Sequence, residues 1–217
     1  MISASQPPPD EPRARILGSA RTHLLAYGYS GFTMDDIARE LGMSKKTLYR
    51  HFPGKDDIIT AIIDDLSAGL RARLDAILAD TKRDFTAKVR GVAGVIGDTI
   101  GPISPAVFRD LQRFAPSVYD QVENVRMKMI PHVFGGLIRM GIAEGAVRSD
   151  IDPAFVTEFW LQAVRGLVQP AVLERTQRTI RQTLGEALFL FFNGLLTPAG
   201  RKSYEKNNAR LESHASR

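Results

Sequence analysis

The sequence predicts an all-α protein in two parts, a small N-terminal three-helix module followed by a larger C-terminal helical domain. Three observations carry this expectation. Apolar residues recur at i, i+3, i+4, i+7 spacing in most segments between Pro12 and Leu196. Residues able to cap a helix N-terminus stand ahead of several of these runs, at Thr33, Ser44, Ser104 and Asp152. Gly or Pro marks the joints, at Gly28, Gly42, Pro53-Gly54, Gly101-Pro102 and Thr197-Pro198.

Residues 1–11 are polar and Pro-rich and carry no apolar core like a signal peptide's, so they read as a disordered lead-in. From Pro12 to Tyr27, the residues Ile16, Leu17, Ala20, Leu24 and Tyr27 form a helical stripe that ends at Gly28. A second short helix follows, with Met34, Ile37, Ala38 and Leu41 on one face. Thr33 and Asp36 have the spacing of a capping box at its start, with Asp in place of Glu or Gln. Gly42 ends it, because glycine accepts the left-handed conformation of a C-terminal cap. Ser44 caps a third helix that buries Leu48 and Phe52 and stops at Pro53-Gly54. Two short helices joined by a tight Gly turn make a helix-turn-helix, whose second helix can lie in a DNA major groove. The exposed side chains of that helix suit this reading: Lys45, Lys46, Thr47, Tyr49, Arg50 and His51 are donors or amphipathic aromatics. No acid occurs between Glu40 and Asp56.

The stretch GFTMDDIARELGMSKKTLYRHFPGKDDII resembles the N-terminal DNA-binding domain of the tetracycline-repressor (TetR) family of bacterial regulators. The shared features are Gly31-Phe32-Thr33, the Ile37-Ala38 pair, Leu48-Tyr49-x-His51-Phe52 and Lys55 opening the next helix, and they cover about the first third of the chain. The resemblance implies DNA contacts from Thr33, Ser44, Lys45, Lys46, Thr47, Tyr49, His51 and Lys55. Lys45, Lys46 and Thr47 would read base edges, while Thr33, Tyr49, His51 and Lys55 would meet phosphates. Tyr49 is equally readable as partly core, and Arg50 as a solvated charge. The resemblance further implies an all-helical homodimer with a variable C-terminal ligand domain and a double-stranded, palindromic operator as partner.

The helix-turn-helix domain is expected over 12–60 (the motif itself at about 33–52), the ligand-binding and dimerisation domain over 61–200, and a polar tail over 201–217. A long helix from Lys55 to about Leu78 carries apolar residues on more than one face, as a mechanical link between the two parts would. Helices are then expected over Phe85–Ile100, from Pro105 to Phe114, and from Pro116 to about Met140 with Pro131 inside it. After a loop over Gly141–Asp152, one helix is expected from Pro153 through about Leu173 and another from about Thr176 to Leu196.

The last helix is apolar on two sides and so needs two partners. One is the chain's own core, and the other is most simply a second copy across a two-fold axis, with Leu184, Leu188, Phe191 and Leu195 as interface candidates. Phe108, Met127, Phe134, Phe155, Phe159, Trp160 and Gln162 are candidates to line a pocket for a small, largely apolar effector; His132, Glu158 and Arg165 could add polar contacts.

Composition narrows the function further. There is no cysteine, which removes disulfides and thiolate chemistry. The net charge of +5 permits a polyanionic partner without requiring one. The apolar run Ala187–Phe192, even extended to Leu196, falls short of the roughly 18 residues of a membrane span. A cytoplasmic protein without membrane association is expected. Gly28-Tyr29-Ser30-Gly31 lacks the spacing of the hydrolase elbow, and neither a Walker loop nor a zincin motif occurs. His23, His51, His132 and His214 are scattered. No metal, cofactor or catalytic set is expected. The expected function is sequence-specific transcriptional regulation, as a repressor that lets go of its operator when an effector binds. The alternative is a constitutive DNA-binding protein with a closed core.

Overall fold

The computed structural model describes residues 11–205. Helices run in chain order: α1 (Glu11–Tyr27), α2 (Met34–Glu40), α3 (Lys45–His51), α4 (Lys55–Ala79), α5 (Phe85–Ile100), α6 (Pro105–Phe114), α7 (Pro116–Ala143), α8 (Pro153–Leu167), α9 (Pro170–Thr176) and α10 (Ile180–Leu195). A 3-10 turn, Tyr29–Gly31, lies between α1 and α2. Among the described residues there is no strand, only an isolated antiparallel bridge between Val147 and Leu196. The all-α class is therefore as the sequence predicts.

The helix starts follow from local chemistry. Asp84 Oδ1 accepts from the Ala87 amide at 2.7 Å ahead of α5. Asp152 accepts from the Ala154 amide at 2.9 Å ahead of α8, whose first residue is Pro153. Thr179 and Gln182 form a reciprocal capping box ahead of α10. α7 is one element with Pro131 inside it.

Three boundaries differ from expectation. The helix expected from Pro153 through Leu173 ends at Leu167, and Pro170 opens the separate helix α9. Proline has no amide to donate and disfavours helical geometry in the residue before it, and Gln169 is extended at ψ 138°. α10 begins at Ile180 rather than Thr176, since Gln177 takes a left-handed conformation (φ 54°) that closes α9. Residues 201–205, expected as tail, continue a helical stretch that begins at 198. The lead-in up to residue 10 and the tail from 206 lie outside the described residues.

The chain divides into two compact units. Among the described residues, one comprises 11–66 with 106–122, and the other 67–105 with 123–205. In the first, Ile16, Ala20, Leu24, Phe32, Ile37, Leu48, Phe52, Ile58 and Ile59 are buried together with Phe108 and Leu111 of α6. The second is centred on aromatic rings: Trp160 lies 4.9 Å from Phe134 and 4.8 Å from Phe191, and Phe191 packs edge-on against Phe192 at 5.2 Å.

Candidate nucleic-acid interface and an apolar cavity

α2 and α3 are held by their own termini. Thr33 Oγ1 accepts from the Asp36 amide at 3.2 Å, and Asp36 Oδ2 accepts from the Thr33 amide at 2.9 Å. The Thr33 hydroxyl also donates to Asp36 Oδ2 at 2.7 Å, and this bond first, then the one from the Thr33 amide, hold the Asp36 carboxyl below the usual carboxylate range. Gly42 adopts φ +63°, the left-handed conformation that lets the chain reverse between the two helices. Ser44 Oγ then accepts from the Thr47 amide at 3.1 Å and starts α3. Leu48 and Phe52 are buried and anchor α3, so Lys45, Lys46, Tyr49 and Arg50 are left exposed.

Each residue singled out from the sequence can now be placed. Lys46, Tyr49 and Arg50 project from α3 without an ion pair or hydrogen bond to other described residues. Lys45 Nζ donates to Asp35 Oδ2 at 2.6 Å and bridges α3 to α2. Ser44 Oγ and Thr47 Oγ1 lie 2.9 Å apart. His51 is half-buried, and its Nε2 atom is buried with no hydrogen-bond partner. Lys55, expected to meet phosphates, is held within the chain. Its ammonium donates to the Phe32 carbonyl at 2.6 Å and lies 4.3 Å and 4.4 Å from the Tyr29 and Phe32 ring centroids. Burial pulls its pKa down, partly offset by the carboxylates of Asp56 and Asp36. The electron-rich ring faces and a carbonyl oxygen hold this ammonium by electrostatic attraction.

Tyr29 is the centre of this packing. Its hydroxyl donates to Asp56 Oδ1 at 2.8 Å, and its ring stacks on Phe114 of α6 at 6.2 Å. Burial first, then the Asp56 carboxylate, push its pKa up to about 12. Gly28, at φ +74°, lets the chain pass so close to α6 that a Cβ there would fall 2.7 Å from Asp110 Oδ2. The turn that aims α2 is thus clamped by α4 and α6. The sequence signal was the aromatic–Gly–aromatic cluster Tyr27 to Phe32, but spacing alone does not assign its distant partners.

The second unit contains a cavity of about 100 Å³ between α4, α5, α7 and α8, with Leu184 of α10 at its wall. Phe134 and Trp160 line it, as do Met129, Val133 and, alone among charged residues, Arg126. The other pocket candidates lie elsewhere. Phe108 is buried in the first unit. Met127, Phe155 and Phe159 are 45%, 68% and 58% exposed. Gln162 is exposed and donates to Glu158 at 2.6 Å. Periodicity groups residues on a face but does not say which face turns inward, and the lining residues Met129 and Trp160 lie within two positions of the misplaced Met127 and Phe159. His132 pairs with Asp75 at 2.6 Å, and Arg165 with Glu123 at 2.9 Å.

The dimer candidates lie on the inward side of α10. Leu184, Leu188 and Phe191 are buried within the chain, and Leu195 is half-buried. The outward apolar residues of α10 are Phe189 (55% exposed) and Leu190 (71%), and on α8 they are Phe155 and Phe159.

Residues 16–62 match the family model described as bacterial regulatory proteins, tetR family. The HTH-type transcriptional activator FasR of Mycolicibacterium smegmatis is 28% identical over 185 residues, covering 78% of this chain and 81% of that protein. The crystal structure of a transcriptional regulator from Cytophaga hutchinsonii superposes with a TM-score of 0.68 at 19% identity, over 87% of this chain and all of that one. A SmeT–triclosan complex gives 0.64 at 16% identity, over 86% and 92% of the respective chains. Together, the capped helix-turn-helix with its outward basic face and these likenesses define a DNA-binding transcriptional regulator. No single described helix is long and apolar enough to cross a membrane. Over residues 16–62 the chain is thus similar to the tetR family of bacterial regulatory proteins, and over most of its length it shares the fold of solved transcriptional regulators.

Proposed function

We propose that the protein acts as a homodimeric repressor that holds a palindromic operator and lets go when a small, largely apolar effector enters the cavity of the second unit. The observation that carries the DNA half is the division of α3, which is anchored by Leu48 while Lys46, Tyr49 and Arg50 face outward. In this reading Lys45, Lys46 and Thr47 meet base edges, and Thr33, Tyr49 and His51 meet phosphate oxygens. Ser44 orients the N-terminus of α3, whose dipole favours an anion. Lys55 sets the angle of α2 through Tyr29 and Phe32 rather than touching DNA. The DNA-binding function belongs to 11–66 together with 106–122.

Two recognition helices about 34 Å apart match successive major grooves on one face of the duplex. The exposed Phe155, Phe159, Phe189 and Leu190 supply the apolar surface on which a second copy docks. A coupling of about 1–3 kcal/mol between effector and operator is enough to change occupancy by one to two orders of magnitude. The apolar cavity supports the effector half over constitutive binding, and the triclosan complex of a structure with the same fold adds support for a small-molecule ligand.

Selection of bound duplexes from a random pool tests the reading. A two-fold symmetric sequence with half-sites one helical turn apart is expected, and a reporter driven through that sequence is expected to rise when the protein is removed. Failure to enrich any duplex at low salt would overturn the DNA assignment, and a fall in the reporter would replace repression with activation.

A further inference from the structure

Leu74, Ile100, Val133, Val164 and Leu184 each bring an aliphatic side chain to the cavity, from α4, α5, α7, α8 and α10 in turn. Among the described residues that line it there is no acid, amide, hydroxyl or imidazole. Two lining side chains carry nitrogen, and neither offers it to the space. Trp160 Nε1 is buried, whereas an atom facing a space with room for water would be accessible, so the indole meets the cavity with its carbons. Arg126 donates through Nη1 to Glu123 Oε1 at 2.6 Å. The wall is carbon almost throughout, so Arg126 borders it with its methylene stem. At about 100 Å³ the space is somewhat smaller than a dry cavity of about 150 Å³ walled by Leu, Ile and Phe, which takes up benzene or xenon.

We infer that the effector is a small uncharged hydrocarbon, about the size of one six-membered ring, held with no hydrogen bond at all. This rests on the proposal that the cavity is the effector site. A hydroxyl, ammonium or carboxylate carried into the space would lose its water and find no partner there. A bare ring gives up no such bonds. It gains contact with the rings of Phe134 and Trp160 and with Met129, whose unbranched thioether adapts to the outline of what it meets. A fused second ring exceeds the room available.

Cyclohexane, cyclohexanol, cyclohexanecarboxylate and cyclohexylamine share a ring and differ at one substituent, and decalin adds a second ring. Each can be titrated into the whole protein while two signals are followed. One is the emission of Trp160, the only tryptophan. The other is the thermal unfolding midpoint, which rises with any ligand that binds the folded state. Cyclohexane is expected to bind about tenfold or more tighter than cyclohexanol, with decalin and the two ions giving no saturable response. It is also expected to weaken binding of the selected duplex by about 5–150-fold. Val133→Phe, which fills the space, is expected to abolish the response to cyclohexane. Cyclohexanol, either ion or decalin binding as tightly as cyclohexane would overturn the hydrocarbon inference while leaving the cavity as an effector site. Cyclohexane binding that leaves duplex affinity unchanged would do the same. An unaltered response in Val133→Phe, or no response to any of the five, would remove the cavity from the account as well. Should Val133→Phe lose its helical circular dichroism, Val133→Leu fills less of the space and serves for the same comparison.

Discussion

The Lys55 ammonium lies over two aromatic rings and on a carbonyl, all within the turn that precedes α2. A cation so placed contributes to stability more than to steering a polyanion. Lys55→Met is expected to lower unfolding stability by about 1–2 kcal/mol and to leave the salt dependence of duplex binding unchanged. Lys46→Ala is expected to leave stability unchanged and instead to relax the preference at one base pair of each half-site, at a cost of about 1–3 kcal/mol. Denaturant unfolding and binding titrations on matched and mismatched duplexes separate the two. Tyr29 makes a related prediction in alkali. Its folded pKa of about 12 lies above the ordinary value of 10.0, so the folded state favours the neutral phenol. The stability this gives is complete below about pH 10 and is lost as pH rises through 12. Tyr29→Phe should cost about 1 kcal/mol at neutral pH and lose less stability than wild type between pH 10 and 12, as read by chemical denaturation.

At the scale of elements, the helix-turn-helix depends on one left-handed residue between two side-chain caps. A Cβ at Gly42 would meet nothing within 4 Å, so a substitution there tests backbone strain alone. Gly42→Ala is expected to destabilise by about 1–2 kcal/mol with no change in packing, measured by thermal unfolding. The caps and the glycine are short-range signals, and they made this region legible: Thr33, Asp36, Gly42 and Ser44 fix α2 and α3 by residues within a few positions of one another. The same holds for Pro105 and Pro116 at the starts of α6 and α7. Legibility fails where the decisive partner is remote. Gln177 takes the left-handed role that sequence reasoning assigns to glycine, so the α9–α10 joint falls where no glycine marks it. The inward turn of Lys55 depends on rings that precede it by more than twenty residues. On α8, Phe159 and Trp160 are neighbouring aromatics, and on α10 spacing parts Phe189 from Phe191 without saying which of the two sides turns inward.

For the whole molecule, the proposed assembly turns on residues that the chain itself leaves uncovered. Leu190→Glu puts a charge into the proposed interface without touching the buried side of α10. It should yield monomers in sedimentation experiments and weaken operator binding by about a hundredfold, since each half-site would then be held alone. The identical change at Leu188, which is buried, should instead unfold the second unit.

The seat of Tyr29 against Phe114 and of Gly28 against Asp110 has a practical corollary for anyone recombining such proteins. A cassette cut after Leu66 would arrive at its new host with one wall missing, because residues 106–122 belong to the same compact unit. An exchangeable reading head has to be assembled from two separate stretches of the gene, and a chimera that carries only the first should show a loosened recognition helix even where every side chain that faces outward has been preserved.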